Sequence, residues 1–360
     1  MKLFTCQNCD QLLYFENTHC ERCGHALGYL WQTRELSALV ALDNGDWQAL
    51  ADPSQRYRYC ANFRYGVCTW LIPSDCPDAL CFACKLNQTI PNLSNVEHLQ
   101  RWQKLEYGKH RLVYALLRFG LPVINKLEDP AMGLAFDFLA SMDSTKEGKV
   151  LTGHADGLIT INIAEADDAE RERLRQAMAE PYRTLLGHFR HEVGHYYWTW
   201  MARSESWLAE FRAYFGDEQQ DYAKALETHY QQGNVSDWTT HFVSHYASAH
   251  PWEDWAETWA HYLHIVDALE TAYAFGMHLR PQIKTDENLV VTVNFNAYDE
   301  QNFDQLIANW LPVTYALNSL NRSMGHIDLY PFVLSPAVLE KMKFVHQSIH
   351  TLATQQSSQG

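Results

Sequence analysis

The chain has 360 residues, enough for two or three domains at about 150 residues each, and its apolar (47%) and aromatic (13%) content is that of an ordinary globular protein. A formal net charge of −15 is the opposite of the basic field that displaces counterions from a duplex, so extended nucleic-acid binding is disfavoured. The start, Met-Lys-Leu-Phe-Thr-Cys, lacks the apolar segment of a secretory leader. No apolar run approaches the roughly 18 residues of a membrane span, so the expectation is a cytoplasmic protein with no membrane partner.

All nine cysteines precede Lys85. In a reducing compartment, paired cysteines are more often metal ligands than bridges. Cys6-Gln-Asn-Cys9 and Cys20-Glu-Arg-Cys23 are two C-x2-C knuckles with ten residues between them. Together they present four thiolates, the tetrahedral set of a structural zinc, and Gly24 suits the turn behind Cys23. The stretch from Arg34 to Leu50 reads as a polar, partly helical linker or covering helix. Beyond it, Tyr57–Trp70 reads as strand, and a second, irregular set follows: Cys60, Cys68, Cys81 and Cys84. Cys76 is the leftover thiol, or a substitute for Cys68 or Cys81. The expected organisation is a zinc ribbon over 1–34, a linker with a second cysteine-rich module over 35–94, and a catalytic domain over 95–355.

Residues 95–117 carry Leu99, Trp102, Leu105 and Leu112 at helical spacing, and Gly120-Leu-Pro122 ends that helix. Residues 134–141 read as strand. Gly153-His-Ala-Asp-Gly157 is a turn cluster before Leu158–Ala164, where Ile159, Ile161 and Ile163 fall on one face and Leu158, Thr160 and Asn162 on the other, as in a half-buried strand. Such a strand at a sheet edge could hold an extended peptide substrate. Asp167 and Asp168 start a helix reaching about Ala179, and Pro181 suits the first turn of the next.

That next helix carries His191-Glu192-Val-Gly-His195. Four residues turn an α-helix by about 400°, so both imidazoles leave one face one turn apart and can reach a single zinc. Glu192, beside the first histidine, can take a proton from a zinc-activated water and pass it to a leaving amine. Gly194 permits the close approach of a neighbouring element. The third ligand sets the subclass. A metzincin continuation needs Gly and His at 198 and 201, but these are Trp198 and Met201. The next acidic helix is Pro251-Trp-Glu253-Asp-Trp-Ala-Glu257-Thr-Trp-Ala-His261. Glu253 and Glu257 share a face, so one can ligate while the other orients a ligand imidazole. Glu253 as ligand with Glu257 behind it is preferred, and the reverse, with His261 behind Glu257, stays open. Tyr246, seven residues before Glu253, is a candidate oxyanion donor. His188, His245, His250 and His264 are left unassigned.

At these residues the chain resembles a bacterial family of zinc-binding metallopeptidases that carry an N-terminal zinc ribbon. The likeness covers nearly the whole chain through the ribbon cysteines, Cys81-Phe-Ala-Cys84-Lys-Leu-Asn, the Gly157–Asp167 segment, the HEVGH helix and the Glu253–His261 helix. It implies a zincin-like peptidase domain. The active-site pattern is also similar to the peptidase domain of anthrax lethal factor, where HExGH precedes an E-x-x-x-E helix with a tyrosine seven residues ahead of the first glutamate. That likeness implies His191, His195 and Glu253 as ligands, Glu192 as base and Tyr246 as oxyanion donor.

Downstream, Leu208–Tyr230 reads as helix broken near Gly216 and ended by Gly233. Leu289–Phe295 reads as strand, Asn302–Leu320 as helix, and Pro336 as the start of the last helix. The expected fold is α+β: a mostly helical zincin-like domain with a small mixed sheet, preceded by zinc-ribbon modules. The expected function is a gluzincin-type peptidase with about three zinc ions, one catalytic and two structural. It would act on a peptide or protein substrate, with a partner protein docking through the ribbons. The alternative is a zinc-stabilised protein-interaction module without hydrolysis. His261 is expected, like Glu257, behind the metal ligands rather than among them.

Overall fold

The computed structural model describes residues 1–141, 150, 152–177, 183–232, 237–282 and 289–357. Helix starts and stops expected at Ala179, Pro181 and Gly233 lie outside them. The chain divides into two compact units, Met1–Tyr114 with Val123–Asp167, and Ala115–Pro122 with Asp168–Gly360.

In the first unit, the first cysteine knuckle sits in a short hairpin of β1 (Phe4–Thr5) and β2 (Leu12–Leu13). An antiparallel meander follows in the order β3 (Ala26–Leu30), β4 (Glu35–Ala41), β5 (Trp47–Ala49), β6 (Asp52–Tyr59) and β7 (Leu71–Pro73). The stretch 34–50, expected as a linker or covering helix, is therefore strand. Its apparent polarity came from residues such as Ser37, which is fully buried and whose hydroxyl accepts from the Ala51 amide at 3.0 Å. Leu30, Leu39, Ala49, Tyr57 and Leu71 form the apolar centre. The Tyr29 amide donates to the Thr69 carbonyl at 3.0 Å, bringing the two ends of the sheet together. Gly28 is needed at that approach, because a Cβ there would lie 2.6 Å from the Leu71 side chain.

A second sheet has the order β10 (Gly153–Ala155), β11 (Leu158–Asn162), β9 (Ala135–Leu139), β8 (Asn87–Thr89). Asp156 and Gly157, with φ of 48° and 82°, make the tight β10–β11 turn. Ile159, Ile161 and Ile163 are buried, as their alternation predicts. The expectation of a substrate-holding edge strand is corrected: β11 is flanked by β10 and, in parallel, by β9. Its ladder groups are spoken for, because the residues after the turn fold back as a hairpin. Helix α1 (Val96–Phe119) buries Trp102, Leu105 and Leu112, and the chain leaves it at Gly120, φ 71°.

The second unit is helical: α2 (Asp168–Ala177), α3 (Leu185–Met201), α4 (Glu205–Phe215), α5 (Tyr222–Gln232), α6 (Pro251–Ala274), α7 (Phe303–Ser323) and α8 (Pro336–Ser357). Gly216, φ 98°, marks the expected break after α4. Of 289–295 only β13 (Val291–Thr292) is strand, paired with β12 (His278–Leu279). α6 is buried nearly all round and packs against α3, α4, α7 and α8, the position of a helix with no dominant polar face. Its start is well specified. Pro251 takes the first turn, the His250 ring accepts from the Trp252 amide at 3.1 Å, and Glu253 and Asp254 face the positive end of the helix dipole. No helix among the described residues is long and apolar enough to cross a membrane.

Candidate active site

Two helices build the site, and a glycine sets their separation. α3 begins at Thr184, whose hydroxyl accepts from the Gly187 amide at 3.0 Å. Gly194 lies against α6, and a Cβ there would stand 3.1 Å from Ala256 Cα and 3.2 Å from the Trp259 ring. The Trp255 indole donates to the Gly194 carbonyl at 2.9 Å and locks the crossing.

This contact brings the α3 histidines onto the first turn of α6. His191 Nε2 and His195 Nε2 are 3.2 Å apart. Glu253 Oε2 lies 3.0 Å from the first and 3.5 Å from the second. An ion bonded to each atom at about 2.0–2.1 Å would need separations of about 3.3–3.5 Å, so the three residues fit zinc. They are nearly fully buried. Glu257 faces the other side of His191, with Oε1 2.7 Å from Nδ1, and Oε2 accepts from Ser244 at 2.6 Å. Of the two assignments left open, this geometry favours Glu253 in the cluster and Glu257 behind the imidazole. His261 lies one turn further on and turns its Nδ1 to the Tyr330 hydroxyl at 2.8 Å.

Glu192 is buried beside the cluster. Oε1 is 3.2 Å from His188 Nε2, and Oε2 has no hydrogen-bond partner among the described residues. Burial opposes its ionisation, but His188 and the neighbouring imidazoles outweigh that and hold the carboxyl below its usual range. Burial likewise opposes a charge on Glu257, and the His191 contact pulls it down to about 2. Burial pushes His261 down to about 4, so it is uncharged at neutral pH. Tyr246 stands beside His191, ring centroids 5.9 Å apart. Burial, then the Glu253 charge, pushes its hydroxyl well up, so it keeps its proton.

Sequence reasoning missed three supporting residues. Tyr222 on α5 donates to Glu253 Oε1 at 2.6 Å. Ser244 holds Glu257, and Tyr330 holds His261. None carries a local signal, because each reaches its partner only through tertiary packing. His188 was visible as the residue one turn before Glu192, and its contact with Glu192 is a finding of the structure.

The cysteines gather as two sets of four, Cys6, Cys9, Cys20 and Cys23, and Cys60, Cys68, Cys81 and Cys84. Sulfur separations of 3.6 Å match the roughly 3.8 Å edge of a tetrahedron with bonds of about 2.3 Å. Gly24, φ 76°, makes the turn behind Cys23, whose thiol the His25 amide pulls down to about 5. Cys76 stays outside both sets, with Sγ 3.6 Å from Asp78 Oδ2.

Two family descriptions match the chain. "Putative zinc-binding metallo-peptidase" matches residues 98–348, and a zinc-ribbon domain matches residues 3–95, spanning both cysteine sets. Similar proteins include uncharacterized proteins of Mycobacterium tuberculosis (strains CDC 1551 and H37Rv) and Mycobacterium bovis. Each is 44% identical over 354 residues, which is 98% of this chain and 96% of the relative. No solved structure matches.

Proposed function

The chain belongs to the zinc-binding metallopeptidase family, with a zinc-ribbon domain in front, and from that premise we propose that it is a gluzincin-type peptidase cleaving peptide or protein substrates. The observation that carries the reading is the meeting of His191, His195 and Glu253 beside a buried Glu192 carboxylate oxygen with no hydrogen-bond partner among the described residues. A structural metal site has no use for that carboxylate.

His191, His195 and Glu253 would hold the catalytic zinc, which supplies Lewis acidity and acidifies a water. Glu192 accepts the proton of the attacking water at Oε2 and returns it to the leaving amine. His188 holds the other oxygen in place. The Tyr246 hydroxyl, kept protonated, donates to the developing oxyanion. Glu257 accepts from Nδ1 of His191, which fixes the tautomer that leaves Nε2 as donor atom. His261, tied to Tyr330, supports the acidic helix. The two cysteine sets would each hold a structural zinc, for three ions in all. In the same reading, residues 1–34 and 35–94 are ribbon modules open to a partner protein, and 95–355 form a zincin-like catalytic domain. A reducing, cytoplasmic setting suits nine reduced cysteines.

The test is Glu192→Gln. Hydrolysis of a broad peptide library should be abolished while zinc stays bound. If the zinc-loaded wild-type chain cleaves nothing, the peptidase reading fails and the ribbons point to an interaction module instead.

A further inference from the structure

A cluster in the first unit carries ligand chemistry that the reading above does not use. A ring nitrogen of His110, a carboxylate oxygen of Glu106 and the sulfur of Cys84 lie within 4.8 Å of one another. Their residues are 4%, 0% and 0% exposed. Glu106 and His110 are four residues apart on α1 and share a face.

The hydrogen bonds around the cluster show which atoms remain. Glu106 Oε1 is taken by Lys109 Nζ at 2.8 Å and Asn87 Nδ2 at 2.9 Å. His110 Nδ1 lies 2.7 Å from the Glu106 backbone carbonyl, which can only accept. Nδ1 therefore carries the proton, and in the neutral ring Nε2 keeps its lone pair. Glu106 Oε2 and His110 Nε2 are both buried and find no hydrogen-bond partner among the described residues. The ring nitrogen nearer to Oε2 is the protonated Nδ1, at 3.9 Å, too long for a hydrogen bond, so both acceptors stay unsatisfied and a cation would serve each of them. This is also the tautomer found for ligating imidazoles, with the far nitrogen donating to a carbonyl.

Charge points the same way. Four thiolates and the Glu106 carboxylate face one buried ammonium, Lys109. A single zinc among the cysteines leaves this buried region negative, and a second divalent cation removes the excess. We propose that Cys84, Glu106 and His110 hold a second divalent cation of the zinc type beside the four-cysteine site, with the Cys84 thiolate bridging the two ions. Mixed sulfur, nitrogen and oxygen donors suit zinc. The three groups lie no more than 4.8 Å apart, so an ion bonded at about 2.0–2.3 Å would draw them together by side-chain rotation. A cavity of about 50 Å³ lined by Cys68, Trp70 and His110 lies against the imidazole, with room for a water.

This inference does not depend on the peptidase reading. Its test is the zinc content of the full chain after removal of unbound metal, with circular dichroism to confirm folding. Wild type should hold one equivalent more than His110→Ala and Glu106→Gln. His191→Ala should remove a different equivalent, additive with the loss in His110→Ala. Cobalt substitution should show the thiolate charge-transfer band of the four-cysteine site retained in His110→Ala. Glu106→Gln leaves Lys109 without its carboxylate and can fail to fold, in which case His110→Phe joins His110→Ala. The proposal is overturned if the folded His110 variants keep the wild-type count. It is equally overturned if they lose the four-cysteine ion as well, because His110 would then only brace the tetrathiolate.

Discussion

Gly194→Ala is the sharpest perturbation of the site that touches none of its polar groups. The new Cβ would stand 3.1 Å from Ala256 Cα and 3.2 Å from Trp259 Cδ1 and Cγ, against an ordinary carbon–carbon separation of about 3.5–4.0 Å. None of these atoms yields easily. Ala256 Cα is backbone, and the fully buried Trp259 ring is stacked on Tyr197 at 5.2 Å. The helices must therefore part by about 0.5 Å. Overpacking of this kind costs about 1–3 kcal/mol, and replacing a helical glycine by alanine returns about 1 kcal/mol. The net expectation is a loss of about 1 kcal/mol, or about 1–2 °C in Tm for a chain of this size. The same displacement moves Glu253 away from the histidine pair, to which it now lies 3.0 and 3.5 Å distant. Zinc affinity should fall with stability, and the Tm loss should be larger in zinc than in chelator, because the bound ion stabilises only the correct helix spacing. The assay is thermal unfolding under both conditions. An alanine variant as stable as wild type, with unchanged zinc affinity, would refute the claim that this crossing sets the site.

Glu257→Ala removes the carboxylate behind His191 and should speed zinc loss to a competing chelator by about 10–100-fold. Glu253→Ala should abolish retention at that site, and the opposite ranking reverses the ligand assignment. Tyr222→Phe deletes the hydroxyl on Glu253 Oε1 and should also speed zinc release, with little change in fold by circular dichroism. Stability should fall on mild acidification. His261 is held at about 4 in the folded chain against about 6.5 unfolded, so below pH 6.5 the unfolded chain takes up a proton that the folded chain refuses until about pH 4. At about 1.4 kcal/mol per pH unit, about 3 kcal/mol present above pH 6.5 is lost across that window. Denaturant titrations of His261→Gln should show a flatter slope there. Stripping zinc should unravel the cysteine-bearing hairpin and turns of the first unit, since metal binding supplies folding energy in such modules. Unchanged protease resistance after chelation would count against structural zinc there.

Local order along the chain determined whatever depends on local geometry. The pairing of His191 with His195, of Glu253 with Glu257 and of each C-x2-C knuckle follows from helix period or tight-turn reach, so spacing alone made them legible. The α6 start at Pro251, the break at Gly216 and the alternation of Ile159, Ile161 and Ile163 were readable for the same reason. Tertiary structure decided the rest. The 34–50 strands were hidden because Ser37 is satisfied by a backbone amide from outside that window. The β11 strand was placed at an edge because pairing partners are invisible in a strand's own residues. Only the crossing at Gly194 put Glu253 rather than Glu257 against both Nε2 atoms. Tyr222 reaches Glu253 from 31 residues away, and Ser244 and Tyr330 likewise act through packing. Residue types and short spacings specify which donors exist, and the packing of α3 on α6 decides which of them share one point in space.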